Sequence, residues 1–140
     1  MAQDRQPFDL NEASLVAELE QALQKTIFSC SGRITPKRVK QIAQEMAEGF
    51  LQFAQQEDLA ASRAYGQQLA QEGLGHRAIL ALSEVARRVC WDGAKPSERL
   101  MPMSGRYVAT LLEGYMAERE AFVLREQQLI VQALQRTLNK

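Results

Sequence analysis

The sequence is poor in the residue types that build chemistry. It holds one histidine and two cysteines in 140 residues. A structural zinc site usually takes four Cys or His ligands, and Cys30 and Cys90 stand far apart, with no CxxC and no ligand cluster beside either. Two reduced, largely buried thiols are the expectation, and no metal ligand set is assigned. Net charge is lacking too. Lys+Arg and Asp+Glu number 17 each, which argues against a nucleic-acid binder that relies on bulk positive charge. No apolar run approaches the roughly 20 residues that cross a bilayer, and the polar stretch Met1 to Pro7 has no apolar core of a signal peptide. The chain therefore reads as cytoplasmic, neither exported nor in contact with a membrane. Repeats and low-complexity segments are missing. So are a Ser-His-Asp or Cys-His arrangement, a phosphate loop and the Glu-x-x-His pairs of a di-iron bundle. No catalytic residue, cofactor ligand or metal ligand is assigned, and the expectation is a non-enzyme.

What the sequence has is helical periodicity. At 46% apolar and 24% charged it has the composition of a folded domain with a core of its own. Residues 1–8 read as a flexible N-terminus and 9–140 as one all-α bundle of about five helices. Asp9 and Glu12 have the spacing of a capping box. Behind them Leu15, Leu19, Ala22 and Thr26 recur on one face, flanked by Val16, Leu23 and Ile27, and Ser31-Gly32 is the expected stop. A second helix opens at Thr35-Pro36, a cap followed by proline at the first helical position. Its stripe is Val39, Ile42, Met46, Phe50 and Phe53, and the basic run Lys37-Arg38-Val39-Lys40 reads as a solvated face.

Asp58 caps a third helix with a stripe of Leu59, Ala61, Ala64, Tyr65 and Leu69. Gly73 after Glu72 places Leu74 and Leu69 at the two positions that touch in a Schellman end, and Gly75 lets the chain turn again. Of the two, Gly73→Val is expected to cost more than Gly75→Ala. His76 opens a fourth helix that runs through Ile79, Leu82, Val85, Ala86, Val89 and Cys90 to Trp91 and stops at Asp92-Gly93. As a helix-start residue His76 could meet an anion, ligate a tetrapyrrole metal or make a local hydrogen bond. It has no nucleophile or carboxylate partner nearby in sequence.

Ser104 is the expected cap of a last helix over about 104–140, with Pro96 and Pro102 in the loop before it. Such a helix is about 50 Å long, whereas a domain of this size is only about 35 Å across. Gly114 sits mid-helix, where it costs about 1 kcal/mol against alanine, so close approach of another helix is expected there, with Tyr115 beneath it. Leu124, Val131 and Leu138 fall at d and Gln127 and Leu134 at a of a heptad, within an apolar band wider than a two-stranded seam. That pattern suits a helix that packs on its own bundle with one side and on a second copy with the other; the alternative is a helix that bends back into the core.

Two stretches, Leu69 to Leu82 and Leu111 to Glu120 running on to Gln128, resemble the N-terminal domain of RsbRD-type RsbT co-antagonists, with looser similarity from about residue 10 to the end. The resemblance implies a bacterial sensory or scaffolding domain, globin-like or bundled, often dimeric and acting on a downstream signalling protein. The residues expected to matter are Gly73, Leu74, Gly75 and His76 at the corner, Gly114 and Tyr115 at the crossing, and Leu124, Val131, Leu134 and Leu138 along the seam. The competing expectation is a sensor holding a tetrapyrrole or an acyl chain in a pocket lined by Phe50, Phe53, Tyr65, Trp91 and Met116.

Overall fold

Thr35 and Pro36 start their helix as the sequence predicts: the Thr35 hydroxyl accepts a hydrogen bond from the Arg38 N–H at 3.2 Å, and the proline spends no useful donor. Four more helices complete an all-α bundle. The order is α1 (Glu12–Thr26), α2 (Pro36–Gln56), α3 (Leu59–Glu72), α4 (His76–Arg88) and α5 (Leu100–Leu138) in this computed structural model, which describes residues 12–30, 34–92, 95, 96, 98 and 100–139. A single 3-10 turn, Ile27–Ser29, follows α1. Trp91–Asp92 and Lys95–Pro96 pair antiparallel between α4 and α5, Trp91 opposite Pro96. The N-terminal segment with its expected Asp9 cap, the Ser31-Gly32 stop and Gly93 lie outside the described residues.

The core is built by α1 through Leu15, Leu19 and Leu23, by α2 through Val39, Ile42, Met46, Phe50 and Phe53, and by α4 through Ile79, Leu82, Val85 and Ala86. α3 packs most extensively on α5 and only sparingly on α2. Glu57, the left-handed residue that closes α2 at φ 47°, pairs with Arg106. Arg63 pairs with Glu113 at 3.3 Å, and Gly66 lies against Leu111 and Tyr115. These contacts advance together along both helices, so α3 and α5 run parallel and α4 returns the chain between them.

Three expectations need correction. The face that α3 buries is Ser62, Gly66 and Leu69, while Leu59 is 46% exposed and Ala61 and Ala64 face solvent. Small residues win there because α5 comes too close for anything larger, and the Ser62 hydroxyl is satisfied by the Leu59 carbonyl at 3.1 Å. Secondly, α4 stops at Arg88, not Trp91. Its last turn tightens, with Cys90 N–H donating to the Arg87 carbonyl at 3.1 Å and the buried thiol bonding back to Ala86 at 3.3 Å. Thirdly, α5 begins at Leu100. Pro102 falls in its first turn, where a missing N–H costs nothing. Ser104 is no cap; it is buried and donates to the Ala86 carbonyl at 3.3 Å, tying α5 to α4.

The basic run at the start of α2 is only partly solvated. Lys37 and Lys40 are exposed, but Arg38 reaches α3, where its Nε and Nη2 donate to the two Glu72 carboxylate oxygens at 2.7 Å each. Its Nη1 donates to Glu45 at 3.0 Å, and Gln68 adds a bond to Glu72 at 3.1 Å. Hydrogen bonding to Glu72 holds the guanidinium firmly protonated. Burial pushes the Glu72 carboxyl up, but the bonds from Arg38 and Gln68 outweigh it, and Glu72 sits below the usual carboxylate range. This network bridges the gap that the two helix backbones leave open.

Candidate functional site

The corner between α3 and α4 is a Schellman end in every bond. Gly73 has φ 95°, its N–H donates to the Ala70 carbonyl at 3.1 Å, and the Leu74 N–H donates to the Leu69 carbonyl at 3.0 Å. Leu74 and Leu69 are both fully buried. Gly75 differs from the expectation. Its φ of −74° is ordinary backbone, so no left-handed turn requires glycine here. The requirement is space: a Cβ at Gly75 would run into the Ser29 carbonyl and hydroxyl, and the Gly75 N–H donates to Cys30 Sγ at 3.4 Å. The corner is thereby seated on the 3-10 turn that follows α1. Cys30 and Cys90 are both free thiols.

The crossing lies directly against this corner. A Cβ at Gly114 would strike the Arg63 carbonyl of α3, and one at Gly66 would strike the Leu111 carbonyl of α5. The two helices therefore meet backbone to backbone at a reciprocal pair of glycines. One residue on, the Tyr115 hydroxyl donates to the Leu74 carbonyl at 2.6 Å in a buried setting, and burial pushes this phenol's pKa up. Gly73, Leu74, Gly75, Gly114 and Tyr115 thus form one contiguous assembly that joins α1, α3, α4 and α5. His76 stands at its edge as the first residue of α4, exposed. Beside it the Arg77 guanidinium lies 5.7 Å from the centre of the Phe28 ring.

Leu124, Val131, Leu134 and Leu138 lie elsewhere. α5 does not bend back: every residue from Phe122 to Asn139 is exposed. At 39 residues the helix is about 58 Å long; Phe122 and Arg125 still border a recess with Ser29, Cys30 and Gly73 of the bundle, and about 20 Å beyond them stands clear. From residue 123 on, Val123, Leu124, Ile130, Val131, Leu134 and Leu138 share an arc of about 120°, roughly opposite the arc that carries Tyr107, Leu111 and Gly114 into the core. The four seam residues are 52% to 82% exposed.

The pocket expected for a tetrapyrrole or acyl chain is not assembled from the five residues assigned to it. Phe50 is core, Met116 is 64% exposed, and the Trp91 side chain lies outside what is described; only Phe53 and Tyr65 share a cleft. Sequence reasoning missed Gly66, Arg38, Glu72 and Tyr107. Gly66 alone carried a usable signal, a mid-helix glycine like Gly114. No group of three or more His, Cys, Asp or Glu side chains among the described residues is arranged to hold a metal ion, and no described helix is long and apolar enough to cross a membrane. Comparison with known proteins finds no matching family model, no matching curated protein and no matching solved structure.

Proposed function

We propose that this chain is a non-catalytic regulatory domain that self-associates through the free half of α5 and passes a change in the bundle to a downstream signalling protein along that helix. The observation that carries the reading is the exposed apolar arc from Val123 to Leu138 on a helix that has left its own core. Each fully exposed leucine or isoleucine forgoes roughly 1.5–3 kcal/mol of burial, and monomers rarely display such side chains contiguously. A second copy is the occupant that the pattern favours. The arc repeats at seven residues, so it is complementary to itself. The arc from Val123 to Leu138 itself holds no charge: Glu126 borders it, while Glu118 and Arg125, paired with each other at 3.3 Å, and Arg136 lie on the opposite face of the helix. The resemblance of Leu69–Leu82 and Leu111–Gln128 to RsbRD-type input domains points the same way, and a cytoplasmic setting fits it.

Light scattering with circular dichroism tests the proposal. Wild type should be a dimer at tens of micromolar, and Val131→Glu with Leu138→Glu should be a folded monomer of undiminished helicity in the bundle. A monomeric wild type at that concentration would remove the physical support for this reading.

A further inference from the structure

A cleft of about 330 Å³ runs along the seam where α2 and α3 stand apart. α2 lines it with Glu45, Glu48, Gly49, Gln52 and Phe53, and α3 faces these with Asp58, Ser62 and Tyr65 among others. Tyr107 of α5 closes its base. This tyrosine is only 2% exposed, its ring packs edge-on against Phe50 at 5.3 Å, and its hydroxyl has no hydrogen-bond partner among the described residues. A buried phenol without a partner loses the hydration it had in the unfolded chain and gains nothing in return. Natural cores tolerate such a group where it serves a purpose. Its position suggests which one: a Cβ at Gly49 would sit 3.5 Å from the Tyr107 oxygen, so the hydroxyl lies just beneath the floor of the cleft, closed to solvent, with no Gly49 side chain to add to its cover.

The lining specifies the chemistry. It contains three carboxylates, Glu45, Glu48 and Asp58, and neither lysine nor arginine. Glu45 is held by Tyr65 at 3.2 Å and by Arg38 at 3.0 Å from the side of the helix seam, while Glu48 forms no ion pair among the described residues. Aromatic side chains, Phe53, Tyr65 and Tyr107, supply the apolar surface. Carboxylates around aromatic rings favour a cation and repel an anion. The volume is at the low end of small-molecule sites, which span roughly 300–1,000 Å³. We propose that this cleft binds a small organic amine with a short apolar tail. The ammonium donates to the Tyr107 hydroxyl oxygen amid the carboxylates, and the tail lies on Phe53 and Tyr65. The site stands independently of self-association through α5.

The test uses the full chain and phenethylamine as probe, with phenethyl alcohol and 3-phenylpropionate as neutral and anionic matches, followed by calorimetry and by shifts of the tyrosine ring resonances. The amine should bind one to one and perturb Tyr65 and Tyr107, and both matches should bind at least about tenfold more weakly. Tyr107→Phe and Gly49→Ala should each reduce amine binding by about tenfold or more, the first by removing the acceptor and the second by covering it. In the absence of amine both variants should melt higher than wild type, since one deletes an unsatisfied group and the other replaces a helical glycine where space allows a methyl. No binding at millimolar amine, equal binding of the alcohol, or unchanged binding by Tyr107→Phe would each overturn the proposal. A lower melting temperature for Tyr107→Phe would do so as well, because the hydroxyl would then have a partner inside the fold.

Discussion

Gly114 of α5 and the carbonyl of Arg63 in α3 are so close that no Cβ fits between them. The same helix carries Gly105, around which an added Cβ would meet nothing within 4 Å. One helix thus holds two glycines of opposite meaning. Gly105→Ala should stabilise the protein by up to about 1 kcal/mol through helix propensity alone. Gly114→Ala should destabilise it by about 1–3 kcal/mol, because the obstacle is backbone and cannot rotate away. Urea denaturation of the two variants decides the matter; equal signs would mean that the crossing relaxes at no cost.

At the corner the expected order of sensitivity changes. Gly73→Val still forces a β-branched residue to φ 95°, a strain of about 1 kcal/mol or more. Gly75→Ala, expected from the sequence to be the milder change, pushes a methyl into the Ser29 carbonyl and should lower the melting temperature by at least as much. A near-neutral Gly75→Ala would show that the turn after α1 shifts freely.

Removing the Tyr115 hydroxyl leaves the Leu74 carbonyl buried without its donor. Tyr115→Phe should cost about 1–3 kcal/mol and should speed amide exchange at the corner. Unchanged exchange there would mean that the corner is held by its own turn bonds alone.

The Arg38–Glu72 pair makes a prediction with a defined pH sense. The folded-state carboxyl of Glu72 titrates below its ordinary value, so its contribution is present above the unfolded carboxylate pKa of about 4.3 and disappears as pH falls through the lower folded value. At pH 7 Glu72→Gln should cost about 1–2 kcal/mol, a bidentate bond partly screened by solvent. The difference between variant and wild type should shrink as the pH is lowered below the usual carboxylate range. A difference independent of pH would assign the loss to packing instead of charge.

How far a sequence discloses this fold depends on whether local and long-range preferences agree. α2 is fully legible: Thr35, Pro36 and the spacing of Val39, Ile42, Met46, Phe50 and Phe53 all favour the helix observed. α3 is legible as a helix but not in its buried face, because small residues there are dictated by the proximity of α5, at Gly66 by the Leu111 backbone far along the chain, and not by hydrophobicity. Pro102 disguised the start of α5 by lying where a proline neither helps nor harms. The bond from Arg38 to Glu72 spans 34 residues, and no local pattern announces it. At the candidate site the corner was readable from Gly73 and Leu74, whereas the partner of Gly114 and the buried, unpartnered hydroxyl of Tyr107 needed three dimensions.

The glycine crossing also has a mechanical consequence. It pins α5 at Gly114, close to the bundle's edge, and leaves about 36 Å of straight helix between that point and Leu138. A tilt of about 5° at the fulcrum, well within the scatter of helix packing angles, sweeps the far tip through roughly 3 Å. Displacements too small to disturb the core would therefore arrive at the exposed end magnified, with no hinge loop and no unfolding in between.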